Sequence, residues 1–366
     1  MIHIVIGTKA QLVKMAPIMA RLEQQQIPYN FIATSQHKEK MDDLLDNFDI
    51  KRPDYTLYRD KKDVTSILQM GRWLLSCLWE AWKNKKTIFQ NDQSGIVLVH
   101  GDTFSTLLGA LMGHLAGLKI GHVESGLRSF HLFHPFPEEI TRLLTFKLSH
   151  IYFCPGQWAV DNLKNETGKK INLGNNTLQD SLQLALAHNA NSTINLPEYP
   201  FGTVSMHRYE NIFSAENLKK CITIIEKIAT QHRLLFILHL PTKKQLIKYG
   251  LLERLENNAS IELRPRYDYF DFIALLKESQ FLITDGGSNQ EECAYLGHPC
   301  LLLRKASERQ EGLNQNVLLS NYDDSLITEF MAQPEKWRQD PLANTEPPSQ
   351  IIVNFCKQWG NSSDNS

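Results

Sequence analysis

Neither sign of charge prevails in this chain of 366 residues: 39 lysines and arginines stand against 40 aspartates and glutamates. With no net field to draw it onto nucleic acid or an anionic membrane, any anionic ligand must be held by a local site. A long uninterrupted apolar run is missing too. The most apolar stretch, LLGALMGHLAGLKIGHV, is broken by His114, Gly117 and Lys119, and the opening MIHIVIGTK runs directly into a strand pattern without a charged leader. These absences predict a soluble, unprocessed, cytoplasmic protein. None of the six cysteines, at 77, 154, 221, 293, 300 and 356, stands in a C-x-x-C pair, and several sit in apolar runs such as YFCP and HPCLLLR. They read as buried thiols of a cytosolic protein.

The chain also has no G-x-x-x-x-G-K-[ST] loop and no G-x-G-x-x-G turn, so neither ATP hydrolysis nor a nicotinamide site is suggested. Its histidines lack H-x-x-x-H and H-E-x-x-H spacing. A carboxylate cluster could in principle hold Mg²⁺, but no essential metal is expected. Internal repeats, coiled-coil heptads and low-complexity tracts are absent, and the last residues, GNSSDNS, are too polar to bury anything.

What is present is an alternation. Short apolar runs, IHIVI, YNFIAT, GIVLVH, KIGHV and IYFCP in the first half and FGTVSM, RLLFIL, SIELR, QFLIT and PCLLL in the second, are separated by longer helical patterns. That order predicts the α/β class, with a parallel sheet in each half covered on both faces by helices. Residues 11–24 and 63–89 are expected as helices, the second with Trp73, Trp79 and Trp82 as packing residues. The length allows two domains, each with its own core. A boundary falls in the polar, glycine-containing PGQWAVDNLKNETGKK, which precedes a new strand, INLG; two α/β halves facing each other across a cleft is the simplest architecture.

In an open parallel sheet, ligands bind beyond the carboxyl ends of the strands, and polar residues recur there. Gly7, Thr8 and Lys9 follow IHIVI, Gly101 and Asp102 follow GIVLVH, and Glu124 follows KIGHV. In the second half His207 and Arg208 follow FGTVSM, His239 follows RLLFIL, and Asp285, Gly286, Gly287 and Ser288 follow QFLIT. Strands of both halves contribute, which predicts a site between domains. The segment DGGSNQEE reads either as a phosphate cradle without a lysine, its backbone N–H groups at the positive end of a helix, or as an ordinary turn with an Asp or Ser cap. Glu291 and Glu292 begin that helix, where the dipole favours a carboxylate that can also accept from ribose hydroxyls; for Glu291 the dipole alone suffices.

In FHPFPEEITR, Glu138 and Arg142 stand four apart, the spacing of a surface ion pair or of part of a site. Glu124 and Arg128 in GHVESGLRS read the same way. Asp102, Glu124 and Glu138 together would form a carboxylate cluster in which repulsion and burial keep some members protonated, giving acid and base for moving a proton on and off carbon. His207 adds a titrating imidazole or a donor to a leaving phosphate.

Taken together, VHGDTFST, GHVESGLRS, PFPEEITR, GNN, HRYENI and TDGGSNQEE…LGHPCLLLR…SERQEG resemble the UDP-N-acetylglucosamine 2-epimerase family in residue type, order and spacing, over nearly the whole chain. The resemblance implies a glycosyltransferase-B-like arrangement of two Rossmann-like domains, 1–168 and 169–350, with UDP mainly on the second and a helix in 351–366 crossing back to the first. It implies a homodimer acting on a UDP-sugar, with no cofactor, no nucleic acid and no membrane span. The reaction it implies inverts C2 by eliminating UDP to a 2-acetamidoglucal and adding it back after reprotonation on the other face, supplying a precursor for surface polysaccharide.

By the same resemblance Asp102, Glu124 and Glu138 match the family's catalytic carboxylates and His207 its catalytic histidine. Lys14 matches the lysine of the N-terminal loop, Gly287 and Ser288 the diphosphate-binding turn with Asp285 and Gly286 leading into it, and Glu292 the ribose ligand. Arg142 and Arg309 match cleft arginines, and Lys9, Arg208 and His239 complete the expected substrate contacts. The chain also departs from the pattern. Where the family reads G-T-R-P-E, this chain reads GTKAQ, so Lys9 keeps a charge without the planar fork of arginine and Gln11 replaces a glutamate. The usual D-S-G-G-I-Q-E-E has become DGGSNQEE. TSQHKEKM resembles the part of the non-hydrolysing bacterial enzymes that helps bind an activating second UDP-sugar, while LYRDKKDVT shows no clear basic partner for it. Three other outcomes stay open at this point: a hydrolysing relative releasing N-acetylmannosamine and UDP, a glycosyltransferase on the same scaffold, and a nucleotide-sugar-binding protein without turnover.

Overall fold

The computed structural model describes residues 1–34, 41–57, 67–132, 137–188, 194–342 and 346–363. The chain divides into two compact units, Met1–Leu184 with Asn344–Ser366, and Ala185–Ala343. TSQHKEKM and LYRDKKDVT fall largely outside the described residues.

The first unit is built on seven parallel strands: β1 (Ile2–Ile6), β2 (Tyr29–Ala33), β3 (Tyr55–Thr56), β4 (Ile96–His100), β5 (Lys119–Val123), β6 (Ile151–Cys154) and β7 (Lys169–Asn172). Their order in the sheet is β3-β2-β1-β4-β5-β6-β7. The strands β1, β2, β4 and β6 are buried at every position, as expected when helices cover both faces of a parallel sheet. Sequence order reverses between β1 and β4, and that switch point opens a crevice at their carboxyl ends. Val5, Ile32, Val97 and Leu108 share one hydrophobic core with Trp73.

Two expectations change in this unit. The boundary does not fall at 168, because β7 pairs with β6 from Ile151↔Lys169 to Cys154↔Asn172 and extends the first sheet. Trp79 and Trp82, expected to pack, are 62% and 64% exposed. The buried stripe of the helix Ile67–Ile88 is Trp73, Cys77, Ala81 and Ile88, at the spacing of one helix face, and Trp79, Trp82 and Leu75 lie off it.

The helix Lys9–Gln24 begins with a capping box in which Thr8 accepts from Gln11 N while the Gln11 side chain accepts from Thr8 N. It carries Pro17 in its interior, and proline has no N–H to give the carbonyl of Val13, four residues earlier. Ser181 Oγ donates to that carbonyl at 2.6 Å instead. The closing helix, Pro348–Ser363, starts three residues before the expected 351 and belongs to this first unit. Ser349 N donates to Asp180 Oδ2 at 2.7 Å, and Arg21 Nε donates to Ser349 Oγ at 2.6 Å.

The second unit repeats the plan with six parallel strands: β8 (Gly202–Ser205), β9 (Leu234–Leu238), β10 (Ile261–Pro265), β11 (Leu282–Thr284), β12 (Cys300–Leu302) and β13 (Val317–Leu319), ordered β10-β9-β8-β11-β12-β13. Its switch point lies between β8 and β11. Val204, Ile222, Phe236, Ile283 and Phe330 belong to its core. All six cysteines of the chain are unbonded and buried. Among the described residues no helix is long and apolar enough to cross a membrane.

Candidate active site

At the end of β5 the chain turns so sharply that Glu124 adopts a left-handed backbone, φ +61°. A non-glycine residue held there costs free energy that only its surroundings can offset. Two residues on, Gly126 has φ +91°, and a Cβ on it would meet Ala159 O at 2.2 Å, so the tight turn needs glycine at that point. The result is a buried carboxylate with a lysine and a histidine beside it: Lys14 Nζ lies 2.6 Å and His100 Nε2 3.0 Å from Glu124 Oε2. Lys14 comes from the helix after β1 and His100 from the last position of β4, so the switch point brings all three together.

His122, the penultimate residue of β5, fixes the same turn: its Nε2 lies 2.7 Å from Gly101 O and its Nδ1 3.0 Å from Ser125 Oγ. Burial pushes its pKa down to about 4, with the nearby His100 adding to the fall, so the ring is neutral near pH 7. Gln11 joins the first two strand ends. Its Oε1 accepts from Gly7 N at 2.9 Å and its Nε2 donates to His100 O at 2.8 Å and to Thr106 Oγ1 at 3.0 Å. An amide serves both functions, whereas a carboxylate at this position would face the His100 carbonyl oxygen with another acceptor.

The helix Glu138–Leu148 supplies the second half of this site. Arg142, buried, donates from Nη2 to Asp102 Oδ2 at 2.5 Å and from Nη1 to Glu139 Oε2 at 3.1 Å. Glu139 is fully buried and also accepts from Arg128 Nε at 2.5 Å and Ser129 N at 3.0 Å. Thr141 Oγ1 donates to the Asp102 carbonyl. Glu138 is half-buried in the first turn of that helix. Where spacing suggested surface ion pairs, Arg128 pairs with Glu139, Glu124 pairs with Lys14, and Arg142 is a buried clamp on Asp102. Asp102 and Glu124 each have a cationic partner, and among the described residues no three His, Cys, Asp or Glu side chains converge closely enough to hold a metal ion.

In the second unit Asp285 is fully buried just after β11 and accepts from His207 N at 2.9 Å, Arg208 N at 3.1 Å and Asn211 Nδ2 at 3.1 Å. It anchors the loop after β8 and does not cap the following helix. That helix, Gly287–Leu296, has Gly286 at its N-cap and no side-chain cap, which removes the ordinary-turn reading of DGGSNQEE. A Cβ on Gly287 would meet Arg309 Nε at 2.8 Å and Arg208 Nη2 at 3.2 Å. Two guanidiniums thus flank a bare backbone turn at the positive end of a helix, an arrangement suited to a diphosphate. Ser288 lies half-buried in the same first turn, and Lys9 of the first unit is half-buried in its own helix's first turn.

Each arginine is steadied by an acid. Arg309 Nη1 lies 2.5 Å from Glu291, which is fully buried, so that glutamate is an ion-pair partner and the helix dipole alone does not account for it. Arg208 and Arg304 lie 3.1 and 3.2 Å from Glu308. Against its own burial, those guanidiniums hold the Glu308 carboxyl down at about 2. Glu292 is buried and accepts from Asn289 Nδ2 at 2.9 Å. His207 stacks on His239 with ring centroids 4.7 Å apart, and His239 Nε2 lies 3.1 Å from Ser205 Oγ. Although the His207 side chain is 41% exposed, desolvation, then the charges of Arg208 and Arg266, lower its pKa to about 4.

The UDP-N-acetylglucosamine 2-epimerase family matches residues 20–346. The chain belongs to that family. A UDP-N-acetylglucosamine 2-epimerase of Methanococcus maripaludis is 32% identical over 97% of both chains. Among solved structures, the Neisseria meningitidis UDP-GlcNAc 2-epimerase bound to UDP-GlcNAc has a TM-score of 0.82 and 29% identity, covering 98% of this chain and 99% of that one. The Methanocaldococcus jannaschii enzyme in complex with UDP-GlcNAc and UDP has the same TM-score at 27% identity and the same coverage. The α/β, glycosyltransferase-B-like class read from the sequence is thus the class of these epimerases.

His100, Glu139, Glu291 and Glu308 take part in these two constellations without having been singled out as site residues. His100 ends an apolar strand run, and its one signal was the polar residue closing GIVLVH.

Proposed function

We propose that this epimerase-family chain inverts C2 of UDP-N-acetylglucosamine or a related UDP-2-acetamido sugar. One observation carries the reading: a buried glutamate in a left-handed turn at a strand end lies against Lys14 and His100, which supports its use as a base toward a carbon acid. In the elimination, a carboxylate takes the C2 proton, the C–H electron pair becomes the C1=C2 bond, and the C1–O bond breaks to release UDP. In the return step a proton is delivered to the opposite face of C2, and the diphosphate oxygen bonds C1 again. Atoms and electrons balance with no external oxidant or reductant.

Glu124, Asp102 and Glu138 serve as the acid and base carboxylates. Gly286, Gly287 and Ser288, with Arg208 and Arg309, receive the diphosphate, and Glu292 the ribose. His207, beside Arg208 and stacked on His239, acts as a hydrogen-bond donor toward the leaving diphosphate. Lys9 and His239 complete the contacts, with Lys9 contributing charge alone.

Incubation of the purified protein with UDP-N-acetylglucosamine in D₂O, followed by NMR, tests the reading. Deuterium at C2 of recovered UDP-sugar, together with the manno epimer, is the expected result. Free N-acetylmannosamine plus UDP in its place, or turnover without deuterium at C2, overturns it.

A further inference from the structure

Glu139 is the one carboxylate in the first unit's site with no solvent exposure at all, and three donors converge on it. Arg128 Nε and Arg142 Nη1 reach it from the side chains, and Ser129 N from the backbone. Burial alone would raise its pKa, but the Ser129 N–H and the two guanidiniums hold it below the usual carboxylate range. A buried charge so fully compensated is costly to assemble and costly to break on one side.

Its partners show what it does. Arg142 is bifunctional, with one guanidinium nitrogen on Glu139 and the other on Asp102. Arg128 and Ser129 belong to the loop that leaves Glu124, four and five residues after its left-handed turn. Glu139 therefore links the turn carrying one carboxylate to the arginine clamping another. An arginine with only Asp102 to hold it has several rotamers open, whereas the second anchor leaves one. We infer that Glu139 is a positioning residue for the reaction proposed above: through Arg142 and the 125–129 loop it fixes Asp102 and Glu124 relative to the C2–H bond.

The inference rests on the proposed epimerisation, and kinetics separate the two. In E139Q, kcat for epimerisation and for C2 deuterium exchange should fall ~10- to 100-fold, the penalty of small misplacements of reacting groups. KM and the affinity for UDP should stay within about threefold, since the diphosphate groups belong to the other unit. The double variant E139Q/R142K should be no slower than R142K alone, because both substitutions cut the same link. A purely structural role predicts lowered thermal stability with kcat unchanged, or losses that multiply in the double variant, and either result overturns the inference. If E139Q fails to give a cooperative melt, R128Q removes the partly exposed end of the link. It should lower kcat by roughly 3- to 10-fold at unchanged KM, and a wild-type kcat there overturns the inference equally. A wild-type protein that places no deuterium at C2 ends the functional reading and this inference with it. An active wild type with an equally active E139Q ends this inference alone.

Discussion

At the scale of single residues, Glu124 differs from an ordinary strand-end acid in its backbone as much as in its partners. Substitution by glutamine keeps the shape, the hydrogen-bonding reach and the left-handed turn but removes the proton acceptor. E124Q should abolish C2 deuterium exchange while leaving UDP affinity, measured by titration calorimetry, nearly unchanged; exchange at a comparable rate would remove Glu124 from the chemistry. Much of this was legible in sequence, since Asp102, Glu124, His207 and Asp285 each follow an apolar run, where a parallel sheet exposes its ligand-binding edge. The partners were harder to read. Lys14 and His100 stand 86 residues apart and His100 and Glu124 24, and the strand order β1-β4-β5 brings them together. Glu139 and Arg128 pair across a tight loop that helical spacing rules do not describe, so those rules suggested Glu138 with Arg142 and Glu124 with Arg128.

Among the elements, the apolar runs announced most strands, three-residue β11 and β12 included, but not β3. β3 has only two residues, both half-buried, too few for a pattern of either period. Trp79 and Trp82 were misjudged for a different reason: composition suggests that tryptophan packs, while position on the helix face decides whether it does. The helix Lys9–Gln24 carries a proline in mid-helix yet stays a single element, because Ser181 gives Val13 O the hydrogen bond that Pro17 cannot. S181A should leave that buried carbonyl short of a donor and cost about 1–3 kcal/mol, read from urea or thermal unfolding. Loss of less than about 0.3 kcal/mol would mean the carbonyl finds another partner.

For the whole molecule, buried histidines set the response to acid. His122 and His298 are lowered to about 4 and about 3, in both cases mainly by burial, with Arg338 adding to the second. Between those values and the ordinary 6.5, the unfolded chain binds protons that the folded one refuses, so stability is full above about pH 6.5 and declines as pH falls toward 4. From pH 7.5 to 5 the two histidines together should cost on the order of 4 kcal/mol, seen as a lower melting temperature. Glu308 has a separate window, since its lowered carboxyl loses its contribution only below about 4.5. Asp180 and Asp285, raised by burial, act in the opposite direction, so the isolating comparison is H298Q, whose melting temperature should fall less over the same range. Parallel pH profiles for wild type and H298Q would show that His298 takes no part.

The small latch of Ser349 on Asp180 and Arg21 bears on the order in which the chain can be assembled. The first unit is closed by the helix Pro348–Ser363, made after the whole of the second. A chain cut short before residue 348 would lack that helix, leaving the latch side of the helix Lys9–Gln24 uncovered. Such a truncation takes an element from the first unit while every strand of the second stays in the chain.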